Sequence, residues 1–174
     1  MVAKSPTVQN DTGSPIGATP VWNAAGMTVA TAAPAVSTSP YASGDVIGAK
    51  MTFAGMARDV GGSGLVQMAS ISAKSTQTFA AELWLFHTDP AASTFTDNAA
   101  FTLAADDFDK VAAVVPITDW YAANGRSYAQ AAQLAMPYKL ADSSTAMFGV
   151  LVARATPTLG STSDIKVAVK GLLD

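Results

Sequence analysis

The alternation of apolar and polar side chains with a period of two is the feature that most constrains the fold of this chain. In residues 46–53, one face of an extended segment would carry Ile47, Ala49, Met51 and Phe53. In residues 164–172, β-branched side chains alternate with lysines in a similar way. Such alternation is typical of strands that bury one face. Both segments are therefore predicted to be strands of antiparallel sheets.

Two further segments, residues 78–87 and 145–153, are apolar on both faces. A strand with this pattern is covered on both sides, either by its own chain or by a partner. Strands are also predicted over residues 65–73 and 111–117, which gives about seven or eight short strands separated by turn signals. Strands at this spacing predict an all-β sandwich or barrel for residues 41–174.

The segments between these strands have the composition of loops or a short helix. The glycine-rich residues 58–64 predict a hairpin loop, and residues 88–102 predict a long loop. Residues 103–110 are predicted to form one short helix, with Thr102 as a candidate cap.

The alanine-rich stretch 127–136 is open to two interpretations. Its helix propensity favours a helix. Apolar side chains nevertheless alternate from Leu134 to Leu140, and Pro137 would then lie on the outer side of an edge strand, where proline is tolerated. A strand over residues 133–140 is the preferred prediction.

Residues 1–40 differ from the rest of the chain, because they contain five of the nine prolines and only two charged side chains. Prolines at this spacing break helices and favour extended backbone. The segment is either a flexible linker or an extended N-terminal arm that lies on another subunit. The arm is preferred, because linkers are usually more polar. Its candidate anchors are Ile16, Val21, Trp22, Met27 and Val29.

Few side chains in this sequence are suited to catalysis or metal binding. There is no cysteine, one histidine (His87) and one glutamate (Glu82). His87 ends an apolar strand, which favours a structural role over one in a triad. The acidic group Asp106, Asp107 and Asp109 lacks the ligand spacing and turn glycine of a calcium loop, so we interpret it as a solvated turn. We expect no catalytic site, no metal site and no cofactor.

The charge content excludes two classes of partner and favours a third. The net charge is −3, and charged residues make up 13 % of the chain, against about 25 % in ordinary soluble domains. The chain has no run of basic residues of the kind that binds nucleic acid, and it has no run of about 18 apolar residues of the kind that spans a membrane. The low charge and the two strands that are apolar on both faces predict a homo-oligomer.

The adjacent aromatic residues Trp120 and Tyr121 follow Asp119 in a stretch predicted to be a loop. Exposed aromatic side chains can stack on sugar rings or anchor a protein interface. The alternative is that one of the two caps the core of its own domain. Both residues are candidate partner-binding residues.

Several short motifs along residues 41–174 resemble a family of small virion proteins of tailed bacteriophages. They are Tyr41-Ala-Ser-Gly-Asp-Val-Ile-Gly48, the Gly61–Gly64 loop, Leu85-Phe86, Asp89-Pro90, Thr94-Phe-Thr-Asp-Asn-Ala99, Leu151-Val-Ala-Arg-Ala-Thr-Pro157 and Ser163-Asp164. The resemblance implies a jelly-roll-like antiparallel β-sandwich that binds the major capsid protein at the capsid surface as a decoration or cement protein. A trimer is favoured on the same analogy.

Three hypotheses of function follow. The first is a capsid decoration or cement protein that adds interface where major capsid subunits meet. The second is a carbohydrate- or receptor-binding module of the virion, which would use loop aromatics such as Trp120 and Tyr121. The third, a hydrolase on a β-sandwich, is the least favoured, because no catalytic constellation can be identified.

Overall fold

The structure, a computed structural model, describes residues 26–174. Strands make up most of its regular structure, with one short helix, α1 (Ala105–Phe108). The strands are β1 (Gly26–Ala32), β2 (Val46–Phe53), β3 (Ser63–Ala73), β4 (Ala81–Phe86), β5 (Val111–Ile117), β6 (Trp120–Ala123), β7 (Arg126–Lys139), β8 (Met147–Ala153) and β9 (Ile165–Leu173).

The strands form two antiparallel sheets. One has five strands in the order β1-β9-β3-β7-β6, and the other has four in the order β2-β8-β4-β5. Consecutive strands lie in different sheets except for two adjacent pairs, β4 with β5 and β6 with β7. Because most connections cross between the sheets, residues distant in sequence become neighbours in both layers.

The main hydrophobic core lies between the two sheets. The four-stranded sheet contributes Ile47, Leu83 and Leu151, and the five-stranded sheet contributes Ile71 and Val167, all with 0 % of their surface exposed. Burial of one such side chain contributes about 1.5–3 kcal/mol. The alternating side chains of β9 and three of the four predicted for β2 therefore point into one shared core, whereas Ala49, predicted on the same face of β2, is exposed. The predicted all-β sandwich is confirmed.

A second hydrophobic cluster covers the opposite face of the four-stranded sheet. Residues 88–104, which we call the cover segment, place Phe95, Phe101 and Leu103 over Phe86 and Val150 of that face. The two strands predicted to be apolar on both faces are β4 and β8, and the chain itself covers both of their faces. The apolar pattern of these strands is therefore not by itself a reason to expect a partner.

The connection between β2 and β3 differs from the sequence prediction. Residues 58–64 were expected to form a hairpin loop, but β2 and β3 belong to different sheets and do not pair.

β2 contains a bulge, since Ile47 pairs with Leu151 and Met51 with Gly149. Residues 48–50 of β2 thus oppose the single residue Val150 of β8, and the backbone has a φ of +82° at Gly48. The bulge keeps Ile47 and Met51 on the core side.

The preferred strand over residues 133–140 is confirmed and extends further, because β7 begins at Arg126. β6 pairs only with residues 126–129, so the rest of β7 is a sheet edge, and Pro137 lies on it as predicted. Gln133 and Ala135 have positive φ in a bulge where three residues of β7 oppose one of β3.

The helix is shorter than predicted, and Thr102 does not cap it. The N-cap residue is Ala104, whose backbone N–H donates a 2.9 Å hydrogen bond to Ser93 Oγ. The acidic group that contains Asp107 was predicted to be a solvated turn, and this prediction is wrong for Asp107, which is fully buried. Its carboxylate accepts hydrogen bonds from Ser93 Oγ at 2.6 Å and from Lys110 Nζ at 2.7 Å. Asp107 therefore ties the cover segment, through Ser93, to Lys110 after the helix.

Residues 26–32, assigned to the arm from sequence, have a partner within the chain itself. They form β1, which pairs with β9 from Gly26 opposite Leu173 to Ala32 opposite Val167. The expectation that the arm needs a neighbouring subunit is wrong for these seven residues, because the free edge of β9 supplies the hydrogen bonds. Residues 1–25 lie outside the described residues.

Candidate interaction surface

The outward side of the five-stranded sheet is the candidate interaction surface, which we call the outer face. Within residues 26–174, neither hydrophobic cluster extends over it. Strand register fixes its rows of directly opposed side chains. From one end to the other they are Met27–Leu172–Leu65–Pro137, Val29–Lys170–Met68–Ala132, Thr31–Ala168–Ser70–Gln130 and Lys166–Ser72–Tyr128–Tyr121.

The outer face brings together three of the anchors predicted from sequence. Met27 is 77 % exposed and Val29 is 55 % exposed on β1, and Tyr121 is 60 % exposed on β6 at the other edge of the sheet. Large apolar side chains at this exposure mark the surface as a candidate contact region. The remaining predicted arm anchors, Ile16, Val21 and Trp22, lie outside the described residues.

Trp120 has a different role from Tyr121, although the two are adjacent in sequence. Its ring packs 5.1 Å from that of Phe79, and its indole N–H donates a 2.5 Å hydrogen bond to the Phe79 carbonyl. Because successive side chains of a strand point to opposite faces, Trp120 covers the core and Tyr121 points outward. Trp120 is therefore not part of the outer face.

The outer face has an apolar end and a cationic end. The first two rows contain only one charged side chain, Lys170, among apolar ones. Leu172 and Lys166 are six residues apart on β9, which separates the two ends by about 20 Å. The apolar end contains the start of β1 at Gly26.

Two adjoining grooves lie at the cationic end. One has a volume of about 500 Å³ and is lined by Tyr121, Asn124 and Tyr128 among others. The other, of about 460 Å³, is lined by Lys74 and Lys166 among others. Ser72, Ala73 and Arg126 line both, so the two grooves adjoin, and we call them together the depression.

Three of the motifs that resemble virion proteins lie away from the outer face and hold the fold together. The Asp97 carboxylate accepts hydrogen bonds from the Tyr41 hydroxyl at 2.7 Å and from the Gly48 backbone N–H at 2.6 Å. Burial and the Asp97 hydrogen bond raise the pKa of Tyr41 well above its usual value. Gly44 N–H donates to the Ala153 carbonyl, which adds a third motif. These residues are structural and form no exposed site.

The two scarce titratable side chains, His87 and Glu82, make local structural contacts. His87 Nδ1 is 2.9 Å from the Thr88 hydroxyl, and Nε2 is 3.2 Å from the Asp109 carbonyl. Glu82 pairs with Arg154 at 2.6 Å, and this hydrogen bond lowers the pKa of Glu82. Among residues 26–174, no group of three or more His, Asp or Glu side chains is placed to hold a metal ion.

Sequence reasoning missed β6 and the cationic end of the outer face. Residues 120–123 were interpreted as a loop, and the first half of β7 was obscured by its alanine content. Tyr128 and Gln130 do alternate with buried Ser127 and Ala129, which is a signal for a strand. Lys74 follows β3, Arg126 begins β7 and Lys166 lies on β9, so only the sheet register brings these three cations together.

Comparison of the chain with protein-family models, with curated proteins and with solved structures finds no match. No helix within residues 26–174 has the length and hydrophobicity needed to cross a membrane.

Proposed function

We propose that this chain is a structural protein of a bacteriophage virion that decorates the capsid and stabilises it by binding the major capsid protein. The observation that carries the proposal is the open outer face, with Met27 and Val29 exposed beside the point where the N-terminal segment enters the sheet. A protein that binds a flat shell needs such a surface on a rigid framework, with additional chain available to reach neighbouring subunits.

The strand order supports the family resemblance on which the proposal also rests. We interpret β1-β9-β3-β7 and β2-β8-β4-β5 as the two four-stranded sheets of a jelly roll, with β6 added beside β7. Jelly rolls with two Greek keys are common in viral capsid and lectin domains. Fold alone does not give function, so the argument depends on the outer face.

The apolar end of the outer face is the proposed capsid contact. Full burial of one large apolar side chain contributes about 1.5–3 kcal/mol, and Met27 and Val29 are already partly covered. Their joint burial would contribute about 2–3 kcal/mol, or roughly 30- to 150-fold in affinity. Residues 1–25, with Trp22 as an anchor, would add contacts on the neighbouring capsid subunit.

The test measures occupancy on purified capsids that lack this protein. The variant Met27→Thr/Val29→Thr keeps β propensity and removes the exposed apolar surface. The control Val60→Thr/Phe108→Thr removes two side chains that are 59 % and 66 % exposed outside the five-stranded sheet. We expect the first variant to lose roughly 30-fold or more in affinity and the control to bind like the wild type.

Two further results complete the test. Trp22→Ala and removal of residues 1–25 should each weaken attachment and leave the sandwich folded, because β1 begins at Gly26. If the wild type does not bind such capsids, or if the outer-face variant and its control bind equally, the proposed contact is wrong.

We also propose that the protein assembles as a homo-oligomer, with a trimer favoured by the family resemblance. Since the cover segment already hides the second face of β4 and β8, the outer face is the sheet face that residues 26–174 leave open for assembly. Light scattering of the free protein, followed by imaging of decorated particles, measures this. A monomer in both would contradict it.

A second candidate function, a carbohydrate- or receptor-binding module of the virion, is favoured by one observation. Tyr121 is exposed and lines a groove with Tyr128, as a side chain that stacks on sugars would. The groove lies about 20 Å from the apolar end, so both surfaces can be occupied at once.

A further inference from the structure

We propose that the depression at the cationic end of the outer face binds a carboxylate-bearing saccharide, such as a segment of a uronic-acid polymer. This inference rests on the second candidate function and names its ligand class. It does not depend on the capsid-binding role, because the two surfaces lie at opposite ends of the outer face.

The first argument is the arrangement of flat rings beside polar donors. Tyr121 and Tyr128 are directly opposite on β6 and β7, and Ser72 and Lys166 continue the row across two more strands. Adjacent strands are about 4.8 Å apart, so the row is about 14 Å long. That length matches two to three sugar rings, and tyrosine presents an apolar ring together with a hydroxyl.

The second argument is the charge of the depression. Lys74, Arg126 and Lys166 line it, and none of them forms an ion pair with a described residue. The Lys74 ammonium donates a hydrogen bond to the Ser163 hydroxyl at 3.0 Å. These cations therefore remain available to an anion, and the guanidinium of Arg126 can form two parallel hydrogen bonds to a carboxylate.

Among residues 26–174, one acidic side chain lines the depression, and it is already engaged in the fold. Asp164 is 2 % exposed. Its carboxylate accepts hydrogen bonds from the Ser75 backbone N–H and from the Gly160 N–H, both at 2.9 Å, and from the Ser75 hydroxyl. Because these bonds satisfy its oxygens, Asp164 opposes an anionic ligand less than an exposed carboxylate would.

Two other polyanions could use aromatic and basic side chains, and the structure favours neither. Single-stranded nucleic acid binds along a continuous basic groove, whereas this chain has a net charge of −3 and three cations in the depression. An acidic peptide would use the cations but would not need two tyrosines in a row. A saccharide with carboxylates uses both features.

The experiment measures binding of the full chain to four immobilised polymers by surface plasmon resonance. Oligogalacturonate carries sugar and carboxylate, dextran carries sugar alone, polyglutamate carries carboxylate alone, and oligo-dT carries phosphate and bases. We expect oligogalacturonate to bind most tightly, at least tenfold more tightly than each of the others. Its affinity should fall as salt is raised, because ionic contacts are screened.

Matched variants locate the site. Tyr121→Ala and Arg126→Gln should each weaken oligogalacturonate binding about tenfold, from loss of ring stacking and of a charged hydrogen bond. Phe108→Ala removes an aromatic side chain that is 66 % exposed, and Lys139→Gln removes an exposed cation outside the depression. Both control variants should bind like the wild type.

The inference is overturned if oligogalacturonate does not bind, if dextran, polyglutamate or oligo-dT binds as tightly, or if the depression variants behave like their controls. Capsid occupancy of the same variants separates the two proposals. Lost saccharide binding with normal capsid occupancy supports two independent surfaces, whereas absent saccharide binding in the wild type removes this inference alone.

Discussion

Phe95→Ala is the substitution that most directly tests whether the chain covers its own four-stranded sheet. Phe95 is 9 % exposed, its ring lies 5.7 Å from that of Phe101 in a stacked arrangement, and 6.2 Å from that of Phe86. Truncating a buried Phe costs about 3–5 kcal/mol, and aromatic pairs contribute about 0.5–1.5 kcal/mol each beyond burial. Because Phe95 lies in a loop that can relax, we expect a loss of about 3 kcal/mol.

The assay is urea unfolding followed by tryptophan fluorescence. Trp84 reports on this cluster, since its ring lies 4.9 Å from that of Phe101. Phe108→Ala is the matched control, because Phe108 follows the cover segment in sequence and is 66 % exposed. Exposed substitutions of this kind usually change stability by less than about 0.5 kcal/mol. The Phe95 variant should also bind more of a hydrophobic dye in its native state.

Equal stability of the two variants would refute the reasoning. It would mean that residues 88–104 do not cover the sheet in solution, and that the second face of β4 and β8 is available to a partner after all. The two strands that are apolar on both faces would then again be a reason to expect a homo-oligomer.

Two further predictions concern a buried carboxylate and a bulge. Burial raises the pKa of Asp107, but hydrogen bonds, first from Lys110, lower it by more, so the net pKa lies below its usual value. The ionised Asp107 therefore stabilises the fold fully above the pKa that this carboxyl has in the unfolded chain. The stabilisation is lost as pH falls through the pKa of Asp107 in the folded protein. As pH falls below about 4, the usual pKa of an aspartate, urea unfolding should show a steeper loss of stability for the wild type than for Asp107→Asn, and parallel losses would contradict this. Gly48→Ala should lower the free energy of unfolding by more than about 2 kcal/mol, because φ is +82° and a Cβ would overlap Pro34. Gly55→Ala is the control, since Gly55 has a φ of +71° in open space and its substitution should show the backbone strain alone. Equal costs in thermal unfolding would mean that Pro34 moves aside.

The strands were predictable wherever the pattern of side chains reflects burial on one or both faces. β2, β4, β8 and β9 were identified in this way, because the period-two alternation follows from backbone geometry alone. Fold class followed from the number and spacing of such segments. β6 and the first half of β7 were missed, because small residues such as alanine give little contrast between the two faces.

The site was only partly predictable. Met27 and Val29 were chosen as apolar anchors of the proline-rich arm and Tyr121 as an aromatic side chain in a predicted loop, and all three are exposed on the outer face. Trp120 was chosen together with Tyr121 as an adjacent aromatic side chain, but it covers the core. Two adjacent residues of a strand must point to opposite faces, and sequence does not tell which face is the inner one when both are aromatic.

The sequence by itself determined an all-β protein whose strands pack their apolar faces together. Only the tertiary structure decided what covers each remaining face: residues 88–104 fold over the four-stranded sheet, β1 closes against β9, and none of residues 26–174 covers the outer face. It also brought Arg126 and Lys166 into one depression, although they are 40 positions apart. The physical reason is that alternation is a local property of each strand, whereas sheet order and register depend on how all the strands share one core.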